Sequence, residues 1–259
     1  MVRGLYTSGW SMLALEKKMD IITNNMANAS TNGYKKDTVV MESFPATLTK
    51  IVKDYSTGSG RTRNIGTMEL GNDVGTVYTY FSQGQLNKTD NELDIAIRDS
   101  DSAFFSVAVP DNDGNIKAFF TRDGSFSKGI DNSLVTSEGY TVLGENGPIV
   151  LQGGPFTVND DGSVIQDGNV IDKLLITEFE DTTDLKKYGN NLLQADEGAQ
   201  TREFSGTVQQ GFAELSNVNI IREMVDMITV MRSYEANQKV LQAIDSTLDK
   251  AVNQVGVVR

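Results

Sequence analysis

Pairs of carboxylates are the residues of this chain whose types and spacing come closest to acid–base chemistry. Asp160 and Asp161 are adjacent, and Glu178 and Glu180 lie two apart in a run that reads as a strand. Two carboxylates at a defined separation are enough for a glycan hydrolase that lacks histidine. Adjacent acids beside a glycine are far more often turns, and acids two apart on a strand are common by chance. Hydrolysis is therefore a minor alternative, and we expect no catalytic residue.

Metal and phosphate sites have equally weak signals. The chain contains no cysteine and no histidine, which excludes disulfides, His/Cys zinc sites, cysteine nucleophiles and a Ser-His-Asp triad. Asp111-x-Asp113-Gly114 resembles the start of a calcium loop, but the spaced ligands and closing glutamate of an EF-hand are missing. Gly58-Ser59-Gly60 lacks the Gly-Lys-Ser/Thr of a phosphate loop. We expect neither a metal nor a cofactor.

Charge is distributed unevenly along the chain. Of its 259 residues, 23 are basic and 35 acidic, which gives a net charge of −12. Residues 1–35 carry four basic and two acidic groups, residues 214–259 carry five and six, and the middle carries 14 and 27. The middle is thus an acidic, solvated body, whereas the ends are nearly neutral, as segments that pack against many copies must be. No basic stripe exists for nucleic acid.

Nothing in the sequence predicts a membrane segment. Glu16, Lys17, Lys18 and Asp20 interrupt the first 30 residues, which lack the basic start and apolar core of a secretory signal peptide. No run is apolar over the roughly 18 residues that a spanning helix needs. We expect neither general secretion nor membrane insertion.

Two apolar repeats with coiled-coil spacing lie at opposite ends of the chain. The first advances in steps of seven, three, four, three and four: Leu5, Met12, Leu15, Met19, Ile22 and Met26. The second alternates four and three: Ile220, Met224, Met227, Met231, Tyr234, Gln238 and Leu241. After one three-residue step, a stammer, it resumes: Ile244, Leu248, Ala251 and Val255. The spacing predicts two terminal helices, the second over 219–254 and roughly 54 Å long.

Two arrangements of these helices fit the spacing. Leucine or methionine at such positions usually means core, so that the helices pair within one folded monomer. In the other arrangement the stripes bury against copies of the same chain, and the free monomer frays at both ends. Ile221, Val225, Ile228 and Val230 lie off the main seam, so one partner helix would not cover the start of the second helix. We therefore expect several neighbours.

The residues between the helices read as strands and turns. Short alternating runs are separated by turn signals such as Asp123-Gly124, Asn146-Gly147 and Asp167-Gly168. Even spacing of this kind favours an irregular all-β body. Residues 36–73 are predicted to be an extended connector. The predicted strands are 74–81, 93–97, 104–109, 116–121, 140–143, 156–158, 163–165, 174–179 and 207–212.

Several motifs resemble those of the bacterial flagellar rod and hook proteins. Residues 24–35, NNMANASTNGYK, resemble the amino-terminal signature of this family. Residues 211–219, GFAELSNVN, resemble its carboxy-terminal signature, together with 223–225 and 232–237. Four stretches of this chain resemble the central β signature of the family: 81–86, 89–97, 104–105 and 134–140. Because the motifs occur in the right order over nearly the whole chain, the chain is identified as a member of this family.

The motif positions also have a physical reading of their own. Asn24, Asn25 and Asn28 share roughly one helical face, where amides bind backbone or a neighbouring subunit; an ordinary polar face is the alternative. Gly33 suits a helix stop or a positive-φ turn. Asn219 is a candidate N-cap, with Glu223 near the positive end of the helix dipole.

The resemblance implies an α+β fold in which N- and C-terminal helices form a coiled-coil-like core layer beneath an irregular all-β central body. It implies four segments: helix 1–35, connector 36–73, β-rich body 74–213 and helix 214–259. It further implies a structural subunit of the flagellar basal-body rod, the axial tube that transmits torque and encloses the export channel. Such a subunit passes unfolded through the flagellar export apparatus and assembles helically with copies of itself and with neighbouring rod and hook subunits.

The expected subunit interface falls into two sets of residues. The first lies on the N-terminal helix and motif: Leu5, Met12, Leu15, Met19, Ile22, Asn24, Asn25, Met26, Asn28, Gly33 and Tyr34. The second lies on the C-terminal helix and its start: Asn217, Val218, Asn219, Met224, Ile228, Met231, Tyr234, Leu241, Ile244 and Leu248. We expect Lys239, Gln242 and Asp249, which lie off the main seam, nearer the channel.

The subtype within the family stays open. The short length favours a rod subunit over the hook subunit. Ala29-Ser30 is typical of proximal rod proteins, whereas 232–237 and 245–251 are more typical of distal ones, and Trp10-Ser11 departs from the small residues usual there. A non-polymerising cap or adaptor of the flagellar axis needs the same apolar seams and is the alternative.

Overall fold

The chain folds into two units, which we call the terminal unit and the body. The computed structural model describes residues 2–45, 47–51, 63–69, 71–110, 116–189 and 191–255. The terminal unit comprises Met1–Met26, Asp37–Tyr78 and Ile220–Arg259, and the body comprises Ala27–Lys36 and Thr79–Asn219. The fold is α+β, with a helix near each end and a mostly β middle.

The terminal unit combines both helices with strands. Its elements are α1 (Val2–Ala27), β1 (Asp37–Ser43), β2 (Thr47–Ile51), β3 (Arg63–Met68), β4 (Asn72–Thr79), α2 (Ile220–Lys250) and a short π-helical turn, Ala251–Val255. Strand β1 pairs with β4, and β2 pairs with β3 in antiparallel register. Most of the described residues of the predicted extended connector, 36–73, therefore lie in paired strands. β-Branched and aromatic residues in this stretch fit a pleated ribbon.

The two helices run antiparallel within the terminal unit. The amide of Asn25 on α1 donates to the carboxylate of Glu223 on α2 at 3.4 Å. A Cβ at Gly4 would lie 3.1 Å from Cδ1 of Ile244, and these positions are 21 residues from the first pair on each helix. Two contacts at equal spacing and opposite direction fix the relative direction of α1 and α2. None of the described helices combines the length and apolarity needed to cross a membrane.

Short antiparallel strands make up the body. They are β5 (Leu86–Lys88), β6 (Ile95–Arg98), β7 (Ala103–Pro110), β8 (Ile116–Thr121), β9 (Ser127–Lys128), β10 (Leu134–Val135), β11 (Thr141–Gly144), β12 (Gly147–Pro148), β13 (Phe156–Val158), β14 (Ser163–Gln166), β15 (Asn169–Lys173), β16 (Ile176–Phe179), β17 (Leu185–Tyr188), β18 (Leu192–Ala195), β19 (Thr201–Arg202), β20 (Thr207–Gln210) and β21 (Phe212–Glu214). A 3₁₀ turn, Thr182–Asp184, precedes β17.

The largest sheet of the body is organised around β7. Its strand order is β17-β18-β8-β7-β11-β10-β9, with β12 on β11 and with β16 joining β7 to β19. Strands β13, β14 and β15 form a separate meander. Two further pairs, β20 with β6 and β21 with β5, bring the end of the body back to its beginning. The body is thus closed by strands far apart in sequence.

The core of the body is apolar and rich in phenylalanine. Its largest cluster surrounds Phe105 and includes Ile95, Val107, Val142 and Val208, all of them buried. A second cluster contains Phe104 and Phe179, whose ring centroids are 6.1 Å apart. Residues alternate between core and solvent along the shorter strands, as in Phe156–Val158, because successive side chains point to opposite faces.

The predicted strands all overlap observed ones, and a predicted hairpin turn is confirmed. Asp167 and Gly168 have φ values of 52° and 80° and join β14 to β15, as the left-handed residues of a two-residue hairpin do. The predicted strand 207–212 is interrupted at Gly211, whose φ is 79°. The body strands that were not predicted are β5, β9, β10, β12, β15, β17, β18 and β19.

We expect Gly124→Ala to destabilise the body. A Cβ at residue 124 would overlap the carbonyl oxygen of Ile95, which belongs to rigid backbone, and Ile95 N donates to Gly124 O at 2.9 Å. The free energy of unfolding of the body should fall by more than about 2 kcal/mol, as measured by near-ultraviolet circular dichroism in urea.

Gly9→Ala is the matched control for this substitution. Gly9 lies in α1, and an alanine Cβ at this position would meet nothing within 4 Å, so the substitution only strengthens the helix. A body transition of Gly124→Ala that coincides with those of the wild type and Gly9→Ala would contradict the steric argument.

Candidate functional site

The amino-terminal motif leaves α1 and enters the body. Thr31 N donates to Asn28 O at 3.2 Å, and the Thr31 hydroxyl is 3.3 Å from the Asn28 amide oxygen, which makes a turn at the helix end. Gly33 adopts φ 69°, and a Cβ there would overlap the backbone of Asp123. Gly33 N donates to Glu214 O at 2.8 Å, so glycine allows two backbones to meet. The predicted positive-φ turn at Gly33 is confirmed.

The carboxy-terminal motif holds the amino-terminal one through Asn217. Asn217 Oδ1 accepts from Lys36 N at 2.8 Å, and Asn217 Nδ2 donates to Tyr80 O at 2.8 Å and to Ser82 O at 3.1 Å. One amide therefore satisfies backbone groups of two separate segments. Asn219 lies directly before α2, in the N-cap position that the sequence predicts.

A buried ion cluster lies between the two motifs and the central sheet. Oε1 of Glu214 accepts from Lys35 Nζ at 2.6 Å and from Gly84 N at 2.8 Å, while Oε2 accepts from Arg122 Nε at 2.6 Å. The three charged side chains are 1% to 3% exposed. Gly84 is required here, because a Cβ would overlap the carbonyl oxygen of Leu215.

The cations of this cluster have further partners in the body. Arg122 donates to the carbonyls of Ala103, of Ser100 at 2.5 Å and of Ile97 at 3.5 Å. Lys35 Nζ donates to Ser82 O at 2.8 Å. Burial lowers the pKa of Lys35, and the Glu214 carboxylate opposes this shift by favouring the ammonium form. The cluster carries two cations and one carboxylate, so removal of Glu214 leaves two like charges out of water.

A second buried amide belongs to the terminal unit. Asn25 is 1% exposed, and its side chain accepts from Asp37 N at 3.0 Å and donates to Asp37 O at 2.8 Å. The Asn25 side chain thus makes with the backbone of Asp37 the same two hydrogen bonds that a paired residue of a neighbouring antiparallel strand would make. The carboxylate of Glu223, also buried, lies beside the same amide. Asn25 thus fixes the end of α1 against β1 and α2, which is a structural use of a residue expected at a subunit interface.

The apolar interface residues predicted on α1 occupy one side of the helix. Ile22 is buried, and the other apolar members are half-buried: Leu5, Met12, Leu15, Met19 and Met26. Asn24 is exposed, Asn28 half-buried, and Tyr34 is buried beneath Lys187, whose Nζ lies 4.2 Å from the ring centroid. The apolar stripe of α1 is therefore largely covered within the chain.

Helix α2 has two faces with different surroundings. The face toward the rest of the terminal unit carries buried Glu223 and Val230, followed by half-buried residues: Tyr234, Leu241, Ile244 and Leu248. The opposite face is apolar and exposed over its first three turns: Ile220, Ile221, Met224, Val225, Ile228 and Met231. The predicted seam is thus divided, since Met224 and Met231 lie on the exposed face. Asn217 and Val218, just before α2, are half-buried.

The exposed face of α2 becomes polar after residue 231. A period of 3.6 residues places Glu235, Lys239, Gln242 and Asp249 on the same side of the helix as Ile228. All four are exposed. One side of α2 therefore offers an apolar surface near the start of the helix and a polar surface along the rest.

The acid pairs considered for catalysis have structural roles. Glu178 is buried, and its carboxylate accepts from Ser100 Oγ at 2.7 Å, Arg202 Nη2 at 2.6 Å and Ser205 N at 3.0 Å. Burial alone would raise its pKa, but these donors outweigh burial and lower the pKa to about 2. A carboxylate held ionised in this way is unsuited to act as a general acid near neutral pH.

The other weak motifs give no site within the described residues. The backbone N–H of Ser163 binds Asp161 and lowers its pKa, as in an Asx turn. Asp111-x-Asp113-Gly114 and Gly58-Ser59-Gly60 lie outside the described residues.

Sequence reasoning missed the residues that join the motifs. Lys35 and Glu214 were read as parts of family signatures without a role, and Arg122 was not singled out. For Glu214 the usable signal was its position between two apolar neighbours, Ala213 and Leu215. Such a residue is expected on the surface unless a partner exists. The partner here is 179 residues away for Lys35 and 92 for Arg122, which one sequence does not disclose.

Glu214→Gln tests the energetic role of the ion cluster. We expect it to lower the free energy of unfolding of the body by about 3 to 5 kcal/mol, because Lys35 and Arg122 remain buried without an anion. The measurement is a urea titration at pH 7 followed by near-ultraviolet circular dichroism, since the single tryptophan, Trp10, belongs to the terminal unit.

Asp196→Asn is the control for Glu214→Gln. Lys186 and Asp196 form an equally short pair of 2.7 Å, but their side chains are 70% and 51% exposed. Loss of this pair should cost less than about 1 kcal/mol. Equal effects of the two substitutions would show that burial adds nothing to the Glu214 cluster.

Glu178 predicts a specific dependence of stability on pH. The pKa of Glu178 is about 2 in the folded protein, below the ordinary 4.5. Its contribution to the free energy of unfolding is therefore full above pH 4.5 and is lost as the pH falls toward 2. Glu178→Gln should cost about 3 kcal/mol at pH 7, and the difference from wild type should shrink between pH 5 and pH 2. Exposed Glu180→Gln, measured in the same urea titrations, should have an effect below about 0.5 kcal/mol at every pH. A pH-independent difference for Glu178→Gln would contradict the assignment.

Family models match three parts of the chain. The model described as flagella basal body rod protein matches residues 5–35, which include most of α1 and the turn at Gly33. The flagellar hook protein FlgE/F/G D1 domain matches residues 100–173 of the body. The flagellar basal body rod FlgEFG protein C-terminal model matches residues 209–255, which include Glu214 and α2. The matched segments at the two ends therefore include Lys35 and Glu214 of the buried ion cluster.

Relatives match over nearly their full length. The chain is 31% identical to the flagellar hook-basal body complex protein FlhO of Bacillus subtilis, with all of both chains covered. It is 34% identical to the flagellar basal-body rod protein FlgG of Buchnera aphidicola, over 96% of this chain and 98% of that protein. It is 30% identical to the rod protein FlgF of Rhizobium meliloti, over 99% of each. The chain therefore belongs to the flagellar basal-body rod protein family, whose members are structural proteins of the flagellar basal body.

Proposed function

We propose that this chain is a structural subunit of the flagellar basal-body rod, which joins copies of itself and other axial proteins through the exposed faces of α1 and α2. Membership of the rod family supports the location and the structural role. The finer claim, that the helices form a coiled-coil-like layer around the export channel, is supported by their antiparallel pairing and by the surface that this pairing leaves uncovered.

The exposed apolar face of α2 is the observation that carries the proposal. Ile221 is 76% exposed, Val225 57% and Ile228 51%, and all lie on one side of the helix. Soluble monomers rarely expose contiguous apolar patches without a partner. Tyr6, Trp10 and Leu13 on α1 are also exposed. Several neighbouring helices are needed to cover these surfaces, which is the environment of a subunit in a helical tube.

The distribution of charge favours burial of the terminal unit among other copies. The terminal unit contains 12 basic and 12 acidic residues, whereas the body contains 11 and 23. The whole net charge of −12 therefore belongs to the body. Close packing of many neutral units costs little electrostatic repulsion, while the charged bodies keep contact with water.

The polar part of α2 has a place in the same arrangement. Lys239, Gln242 and Asp249 continue the exposed side of the helix beyond the apolar patch. We assign them to the water-filled channel, since a partner surface that covers Ile228 need not extend over them. Passage of the unfolded chain through the flagellar export apparatus is part of the proposal, because a subunit of this tube is assembled outside the cytoplasm.

Ile228→Asp tests the assembly surface. A charge at the centre of the apolar face should abolish polymerisation without loss of the monomer fold, because residue 228 contacts solvent in the monomer. Polymer is measured by sedimentation and electron microscopy, and the monomer fold by circular dichroism.

Thr229→Asp is the control for Ile228→Asp. It adds the same charge at the next exposed residue, about 100° away around the helix and outside the apolar face. Polymerisation of this variant should be retained. A wild-type chain that binds the end of a filament and never polymerises would identify a cap or adaptor. If Ile228→Asp polymerises as efficiently as the wild type, the apolar face of α2 is excluded as the assembly surface.

A further inference from the structure

The last part of the body binds segments from three other parts of it. Val208 N donates to Asp160 O at 2.9 Å, Gly211 N to Asp94 O at 2.7 Å and Leu215 N to Gln85 O at 2.9 Å. The Gln210 side chain bridges the backbone of the same regions, as its Oε1 accepts from Val158 N at 3.0 Å. Residues 207–217, which we call the closing segment, therefore connect regions 48 to 130 residues earlier in the chain.

Strands β5 and β6 depend on the closing segment for their pairing. Among the described residues, β6 pairs with β20 and β5 pairs with β21, and neither joins another strand. Ile95, Ile97 and Val208 lie together in the largest apolar cluster and are at most 1% exposed. Without the closing segment, strand edges and core side chains of residues 86–98 would face water.

Without the closing segment, the body would lose the compensation of buried charge as well as the strand pairing. Lys35 and Arg122 are both buried, and Glu214 is the carboxylate that binds both. A body folded up to residue 206 would bury two neighbouring cations with no anion between them. Uncompensated charge of this kind is among the largest penalties in a protein interior. A native-like body without Glu214 is thus disfavoured by electrostatics as well as by exposed core.

We propose that the closing segment is a folding lock: the body acquires its native core only when residues 207–217 join strands β5 and β6 and Glu214 reaches Lys35 and Arg122. Folding of the body is then an end-to-end event. Its first segment, Ala27–Lys36, and its last are bound to each other, and neither is stable without the other.

The lock has a consequence that rests on the proposed rod function. The proposed rod function includes passage of the unfolded chain through the export apparatus, and a chain threaded with its amino terminus first must stay unfolded until it emerges. Because the lock needs residue 214, about four fifths of the chain emerges before the body can fold. Only α2 and the end of the chain remain to follow, so premature folding of the body is avoided by its own topology.

Native-state hydrogen exchange of the full-length monomer tests the lock without any substitution. The closing segment is reported by the amides of Val208, Gly211 and Leu215. The central sheet is reported by Ser106 N, which donates to Leu175 O at 3.0 Å, and Phe179 N, which donates to Ser102 O at 2.9 Å. We expect the two groups of amides to exchange through one global opening of the body. Their exchange rates, corrected for the intrinsic rate of each amide, should then be equal and should rise equally with urea concentration.

The opposite result is equally clear. In that result, the amides of the closing segment exchange at least tenfold faster than those of the central sheet, and their exchange rates depend less on urea concentration. The closing segment would then detach while the rest of the body stays folded. That result would overturn the lock. The measurement is made on dissociated monomer, so it is independent of whether the chain polymerises, and failure of the rod proposal would be seen separately in the polymerisation assay.

Glu214→Gln adds a second test. Under the lock it should accelerate exchange in both amide groups by the same factor, at least 100-fold, because one opening governs both. An acceleration confined to Val208, Gly211 and Leu215 would overturn the proposal. Asp196→Asn is the control and should change exchange in either group by less than about fivefold.

Discussion

The carboxylate of Glu214 is buried from water, and the arrangement of the body follows from the need to compensate it. Two cations and a backbone amide converge on its oxygens. One cation comes from the segment after α1, and the other from the end of β8 in the central sheet. A carboxylate can accept several hydrogen bonds at once, so a single side chain fixes three segments in one register. Glycine at 33, 84 and 124 then allows the backbones to approach.

The terminal unit and the body solve different physical problems. The body encloses an apolar core and carries the whole net charge of the chain on its surface. The terminal unit has equal numbers of acidic and basic residues, and part of its apolar surface stays exposed. In the proposed rod subunit, the charged body keeps contact with water, and the exposed apolar surface of the terminal unit binds other copies. This division suits the structural subunit proposed above, in which the terminal unit makes the contacts with other copies.

Sequence patterns predicted the elements that have a local signal. The three-and-four apolar repeats of α1 and α2 and the alternation of 116–121 and 156–158 follow from neighbouring residues alone. The strands within 36–73 were not predicted, because their pairing partners are decided by the terminal unit as a whole. The Lys35–Glu214–Arg122 cluster was missed for the same reason, since hydrogen bonds across 92 and 179 residues leave no periodic trace. The family signatures marked the correct segments but not the roles of their charges.

The division of the α2 seam shows why spacing did not decide which residues face the chain itself. A three-and-four repeat predicts a stripe, and both Met224 and Met227 belong to it. In the structure Glu223 turns inward to the amide of Asn25, and this contact sets the rotation of the first turns of α2. Met224 and Ile228 are consequently left outside. A buried polar pair is a poor source of stability but a good determinant of register, because a rotated helix would move the buried Glu223 carboxylate away from Asn25. The exposed apolar face is therefore a consequence of the polar contact on the other side of the helix.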